Sequence, residues 1–132
     1  MFCPKFVDHV VLRIADVGRT ERFYNALLGE PKERIPGSVL YAVGDTLLFF
    51  TLSEKSEPEQ FEKEDIGLNH LAFGVRTLEE LREIGAQLNA AGIAHSGIGM
   101  CRYGNVEFIW LDDPDGIRVE FYRRPEGSGA SA

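Results

Sequence analysis

Apolar and polar residues alternate over positions 7–14, VDHVVLRI, and again over 68–75, LNHLAFGV. A period of two belongs to strands with one buried face. Each run is followed by a stretch with helical period. In the first, Val17, Phe23, Tyr24, Leu27 and Leu28 share one face. Asp16 suits its N-cap and Gly29 its exit, with Pro31 just beyond. In the second, Thr77 and Glu80 have capping-box spacing, Leu78, Leu81, Ile84 and Leu88 form the stripe, and Gly92 ends it. Three short strands are predicted after each helix. In the first half they lie near 32–36, 38–43 and 46–52, with a Gly44-Asp45 turn. In the second they lie near 93–97, 105–111 and 117–123, with a DDPDG turn.

The order is therefore βαβββ, written twice at an offset of 61 residues. One such module has too little core to stand alone, whereas two can share a sheet system. The expectation is an α+β fold in a single domain over 1–132. Module one spans about 6–64 and module two about 66–124, with a flexible Gly/Ser-rich tail over 125–132.

Strand alternation assigns each residue a face. Val10, Leu12 and Ile14, then Leu71, Phe73 and Val75, then Ile117, Val119 and Phe121 form the apolar faces that suit packing on helices. His9, His70 and Glu120 fall on the opposite faces, and the two histidines hold equivalent repeat positions. A histidine in a strand often serves only as a hydrogen-bonded structural residue, and a glutamate there is often just the solvent side. Two imidazoles and a carboxylate are also the donor set of many catalytic divalent-metal sites, with positions left open for water or substrate. Such donors suit Fe2+, Mn2+, Zn2+, Ni2+ or Co2+ and do not choose among them.

The chain has 132 residues, 14 of them basic and 21 acidic, for a formal charge of −7. That balance argues against a nucleic-acid partner. No apolar run reaches the roughly 20 residues of a membrane span, and the N-terminus has no signal-peptide core, so a cytoplasmic address is expected. Cys3 and Cys101 form neither a disulfide framework nor a zinc-ribbon spacing and read as free thiols.

The stretches DHVVLRIADVGRTERFYNALLG, NHLAFGV and LDDPDGIRVEFY resemble the vicinal oxygen chelate superfamily, the glyoxalase/bleomycin resistance/dioxygenase group. The resemblance covers residues 6–124. It implies paired βαβββ modules forming a cupped mixed sheet or incomplete barrel around one divalent metal, held by His9, His70 and Glu120. It implies a homodimer, in some relatives with each site shared between subunits. It also implies a small-molecule substrate chelated through adjacent oxygens, with the metal as Lewis acid in dioxygenase-type or lyase/isomerase-type chemistry. The alternative is a metal-free, drug-sequestering protein of the bleomycin-resistance kind.

Departures from the pattern narrow the choice. The fourth ligand of glyoxalase I-type relatives would fall on Phe49 or Phe50, which bind no metal, and a threonine typical of fosfomycin-resistance transferases is replaced by Val11. Parity places Arg13, Arg118 and Tyr122 on the metal-side faces. Either arginine is a candidate to hold a substrate anion, and Tyr122 to donate to a developing oxyanion. Arg118 and Tyr122 are the catalytic candidates; Arg13, Phe50 and Trp110 are pocket candidates. The glycine-rich stretch 96–105, SGIGMCRYGN, reads as a candidate lid.

Overall fold

The computed structural model describes residues 1–102 and 104–127. The expected tail from 128 onward, and Tyr103 within the candidate lid, lie outside the described residues. The chain divides into two compact units, Met1–Glu59 and Gln60–Ala132.

The first unit runs β1 (His9–Ile14), α1 (Val17–Leu28), β2 (Glu33–Ile35), β3 (Ser38–Val43) and β4 (Thr46–Leu52). Its sheet has the order β1-β4-β3-β2, with β1 parallel to β4 and the other pairs antiparallel. Asp16 caps α1 by accepting a hydrogen bond from the Arg19 amide at 2.8 Å. Gly29 leaves the helix with φ 80°, a conformation that favours glycine. The core is aromatic. Tyr24 of α1 stacks on Phe50 at 4.1 Å, and Tyr41 meets Phe50 edge-on at 5.8 Å. Full burial of one such side chain contributes about 1.5–3 kcal/mol. The Tyr41 hydroxyl donates to Asn25 Oδ1 at 2.7 Å, which satisfies its polar end.

The second unit repeats the plan: β5 (His70–Val75), α2 (Leu78–Ala90), β6 (Gly99–Met100), β7 (Glu107–Asp112) and β8 (Arg118–Arg123). Its sheet has the order β5-β8-β7-β6, again with the outer β5 parallel to β8. The predicted capping box forms, with the Thr77 hydroxyl accepting from the Glu80 amide and the Glu80 carboxylate accepting from the Thr77 amide. Leu81 and Leu88 of α2 are buried, as are Ile109, Leu111, Val119 and Phe121 of the sheet, and Phe73 stacks on Phe121 at 5.4 Å.

One predicted element differs. Residues 93–97 form no strand; the pairing starts at Gly99–Met100. The intervening chain is fixed by side chains instead. The Gly97 amide donates to His95 Nδ1, leaving the His95 Nε2 hydrogen for Asn89 Oδ1 at 2.8 Å. Both ring nitrogens are thus occupied by local structure. No helix among the described residues is long and apolar enough to cross a membrane.

Candidate metal and substrate site

His70 opens β5, and Glu120 lies in β8, where it faces Ala72 across the parallel ladder. The alternation that buries Phe73, Val119 and Phe121 turns both side chains to the other face. His70 Nε2 stands 3.5 Å from Glu120 Oε1. Two donors each about 2.1 Å from one ion lie roughly 3.0–3.4 Å apart, so this pair has the spacing of neighbouring ligands. Glu120 is only 8% exposed. A carboxylate so removed from water needs a cation or a set of donors to offset its desolvation.

The outer partner of His70 fixes its tautomer. Its Nδ1 lies 2.8 Å from Asn69 Oδ1, and Asn69 Nδ2 donates to the Lys63 carbonyl at 2.8 Å, which settles the amide orientation. The imidazole proton is therefore on Nδ1, and the Nε2 lone pair is directed at Glu120. The first unit repeats this device. His9 Nδ1 lies 2.8 Å from Asp8 Oδ2, again a side-chain oxygen of the preceding residue, which leaves Nε2 as the available donor. The repeat thus extends from the histidines to the groups that orient them.

The repeat also shows what the first unit lacks. Val11 pairs with Phe49 in β1–β4 as Ala72 pairs with Glu120 in β5–β8. Phe49 is the counterpart of Glu120, and its ring meets the His9 ring edge-on at 5.6 Å. Among the described residues no group of three or more His, Cys, Asp or Glu is arranged around one point. The structure brings together His70 and Glu120 within the second unit, while His9 belongs to the first.

The remaining candidates are placed as follows. Tyr122 follows Glu120 on the same face of β8 and lines a cavity of about 640 Å3 together with His70, Ala72, Gly74 and Cys101. That volume is typical of small-molecule sites. The Tyr122 hydroxyl donates to Cys101 Sγ at 3.7 Å. Burial, then the contacts with Cys101 and Glu120, push its pKa well above the usual tyrosine range, so it stays protonated at neutral pH. Arg118 pairs with Asp112 at 2.7 Å and lies over the Trp110 ring at 4.1 Å, so its charge is engaged on the β7–β8 ladder. Arg13 donates to the Leu52 carbonyl and lies 4.0 Å from Glu54, both in the first unit. Phe50 is fully buried among tyrosines, a core residue and not a cavity wall; the exposed face of β4 passes to Phe49.

Arg76 and Arg124 also line the cavity, and nothing in the sequence pattern marks either. Arg76 follows β5 and reads as a helix-flanking charge. Cys101 reaches the same cavity from the β6–β7 side, a juxtaposition that strand parity alone does not reveal. Asp8 and Asn69, by contrast, stand beside the two histidines in both repeats, a signal open to inspection.

The Glyoxalase/Bleomycin resistance protein/Dioxygenase superfamily profile matches residues 6–121, and the chain belongs to that superfamily. Among solved structures, a glyoxalase family protein from Enterococcus faecalis is 26% identical with a TM-score of 0.72, over 90% of this chain and 98% of that one. Lactoylglutathione lyase from Agrobacterium tumefaciens is 20% identical with a TM-score of 0.71, over 91% and 94%. The oxidase ChaP-H1 is 23% identical with a TM-score of 0.68, over 94% and 99%. The last two likenesses establish the fold, the α+β arrangement of two four-stranded mixed sheets. No curated protein sequence matches the chain.

Proposed function

We propose that the chain is a divalent-metal-dependent enzyme acting on a small substrate with adjacent oxygens, by dioxygenase-type or lyase/isomerase-type chemistry. The observation that carries this reading is the His70–Glu120 pair at 3.5 Å, with its Nε2 lone pair presented by Asn69. His9, prepared in the same way by Asp8, is the third donor that the superfamily resemblance implies. When bound, the ion supplies a Lewis acid to two neighbouring substrate oxygens. Superfamily membership and fold neighbours that include a lyase and an oxidase support an enzymatic role.

The chain's own residues then have distinct tasks. Asn69 and Asp8 orient the imidazoles. Tyr122, protonated at neutral pH, donates from its hydroxyl to negative charge developing on a substrate oxygen. Its contact with the Cys101 thiol is weak and is exchanged for the substrate. Homodimerisation, as the resemblance implies, belongs to the same proposal.

Elemental analysis of protein purified without chelator, then supplemented with Fe2+, Mn2+, Zn2+, Ni2+ and Co2+, tests the reading. One ion per chain is expected, with the stoichiometry falling sharply in His9→Ala, His70→Ala and Glu120→Gln. A wild-type protein that takes up no metal after supplementation refutes it and favours drug sequestration.

A further inference from the structure

The cavity of the second unit has two chemically different ends. At one end stands His70, with Glu120 3.5 Å from its Nε2. Along β5 the same face then carries Ala72, Gly74 and Arg76, and along β8 it carries Tyr122 and Arg124. The Arg124 amide bonds to the Val75 carbonyl, so the two strands stay in register to that point. Four residues of strand, about 13 Å, separate Glu120 from Arg124. Between the ends the floor is nearly bare. A Cβ added at Gly74 would meet nothing within 4 Å, and its backbone is not in the left-handed region, so strand geometry does not require glycine there.

The far end carries two arginines, Arg76 and Arg124, in a protein of formal charge −7. Arg76 Nη1 donates to the Arg124 carbonyl at 3.0 Å, which anchors its guanidinium at the end of β8. Its Nε lies 3.6 Å from the exposed Glu126 carboxylate. The Arg124 guanidinium has no hydrogen bond or ion pair among the described residues. Glu126 and Glu80, whose Oε1 accepts from the Arg76 amide at 2.9 Å, both lie against Arg76, so Arg124 is the unpaired cation of this end among the described residues, which matches a carboxylate better than a phosphate dianion.

We propose that this cavity takes an elongated monoanionic substrate. Its reacting oxygens lie toward His70 and Glu120, its chain passes over Ala72 and Gly74, and its terminal carboxylate is held by Arg124 and Arg76. Gly74 is the specificity-determining position that keeps the passage open. The inference rests on the proposed function for the identity of the reacting end; the anion end stands on the cavity alone.

The test has a metal-free arm and a metal arm. In the first, chelator-treated protein is titrated with 3-phenylpropionate and with its neutral amide, following backbone amide shifts of Ala72, Gly74 and Arg124. The acid is expected to bind about tenfold more tightly, the worth of one charge-assisted hydrogen-bonding contact. Arg124→Gln, an exposed change, removes that preference. Gly74→Val abolishes binding of both probes while leaving the thermal midpoint near wild type. Equal binding of acid and amide, or an Arg124→Gln variant that keeps the preference, overturns the proposal. Tighter binding of 2-phenylethyl phosphate overturns the monoanion assignment. In the second arm, Co2+-supplemented protein is titrated with 3-(3,4-dihydroxyphenyl)propionate against 4-propylcatechol, read from the cobalt absorption. Failure to load metal with the acid preference intact sinks the proposed function and leaves the anion end standing. Loading with equal affinity for both catechols sinks the inference and leaves the function.

Discussion

At the scale of single residues, the most informative feature is the oxygen-bearing neighbour of each histidine. A ligand's outer hydrogen bond sets its tautomer and basicity, and losing it typically lowers metal affinity about 10–100-fold. Asn69→Ala should therefore weaken metal binding by that factor although His70 and Glu120 remain, as measured by competition with a chromophoric chelator. This level was partly legible. The Asp-His and Asn-His pairs can be read directly, and parity assigns His70 and Glu120 to one face because both lie in regular strands. Parity could not decide between Phe49 and Phe50, since TLLFFTL is apolar on both faces. Only the packing of Phe50 on Tyr24 separates them. Nor could it show that Arg118 is occupied by Asp112, a partner fixed by the β7–β8 register.

At the scale of elements, local chemistry was decisive at the helix starts. Asp16 and Thr77 cap as their spacing requires. Hydrogen bonds from the Arg76 and then the Thr77 amides hold the Glu80 carboxyl below its ordinary value of 4.5. A depressed carboxyl contributes stability that is present above the unfolded value and lost as pH falls through the folded one. The stability difference between wild type and Glu80→Gln should thus be full near neutral pH and vanish on acidification well below 4.5, measured by thermal unfolding. Thr77→Ala should cost about 1 kcal/mol in urea unfolding. Residues 93–97 pattern as a strand yet form none, because a short apolar run carries too little periodicity to tell a strand from a tethered loop. Of its anchors, Asn89 to His95 is a local side-chain contact that hydrophobic periodicity does not register, and Ser96 to Trp110 joins residues 14 apart in sequence.

At the scale of the molecule, duplication accounts for most of what could be anticipated, because two copies of one weak pattern reinforce each other. It also exposes their divergence: one unit carries a carboxylate where the other carries Phe49. If the donor set binds an ion only when folded, saturating metal must raise global stability. At a hundredfold excess over Kd the gain is about 2.7 kcal/mol. A thermal-shift titration should show this in the wild type and lose it in Glu120→Gln.

Cys101 gives the cavity a reporter of its own. The thiol is half-buried beside Tyr122 on the cavity wall, whereas Cys3 is exposed. A maleimide will therefore label the two at rates that diverge as the cavity fills. Cys3 serves as the internal clock and Cys101 as the gauge, so occupancy can be followed by mass spectrometry before any turnover assay exists.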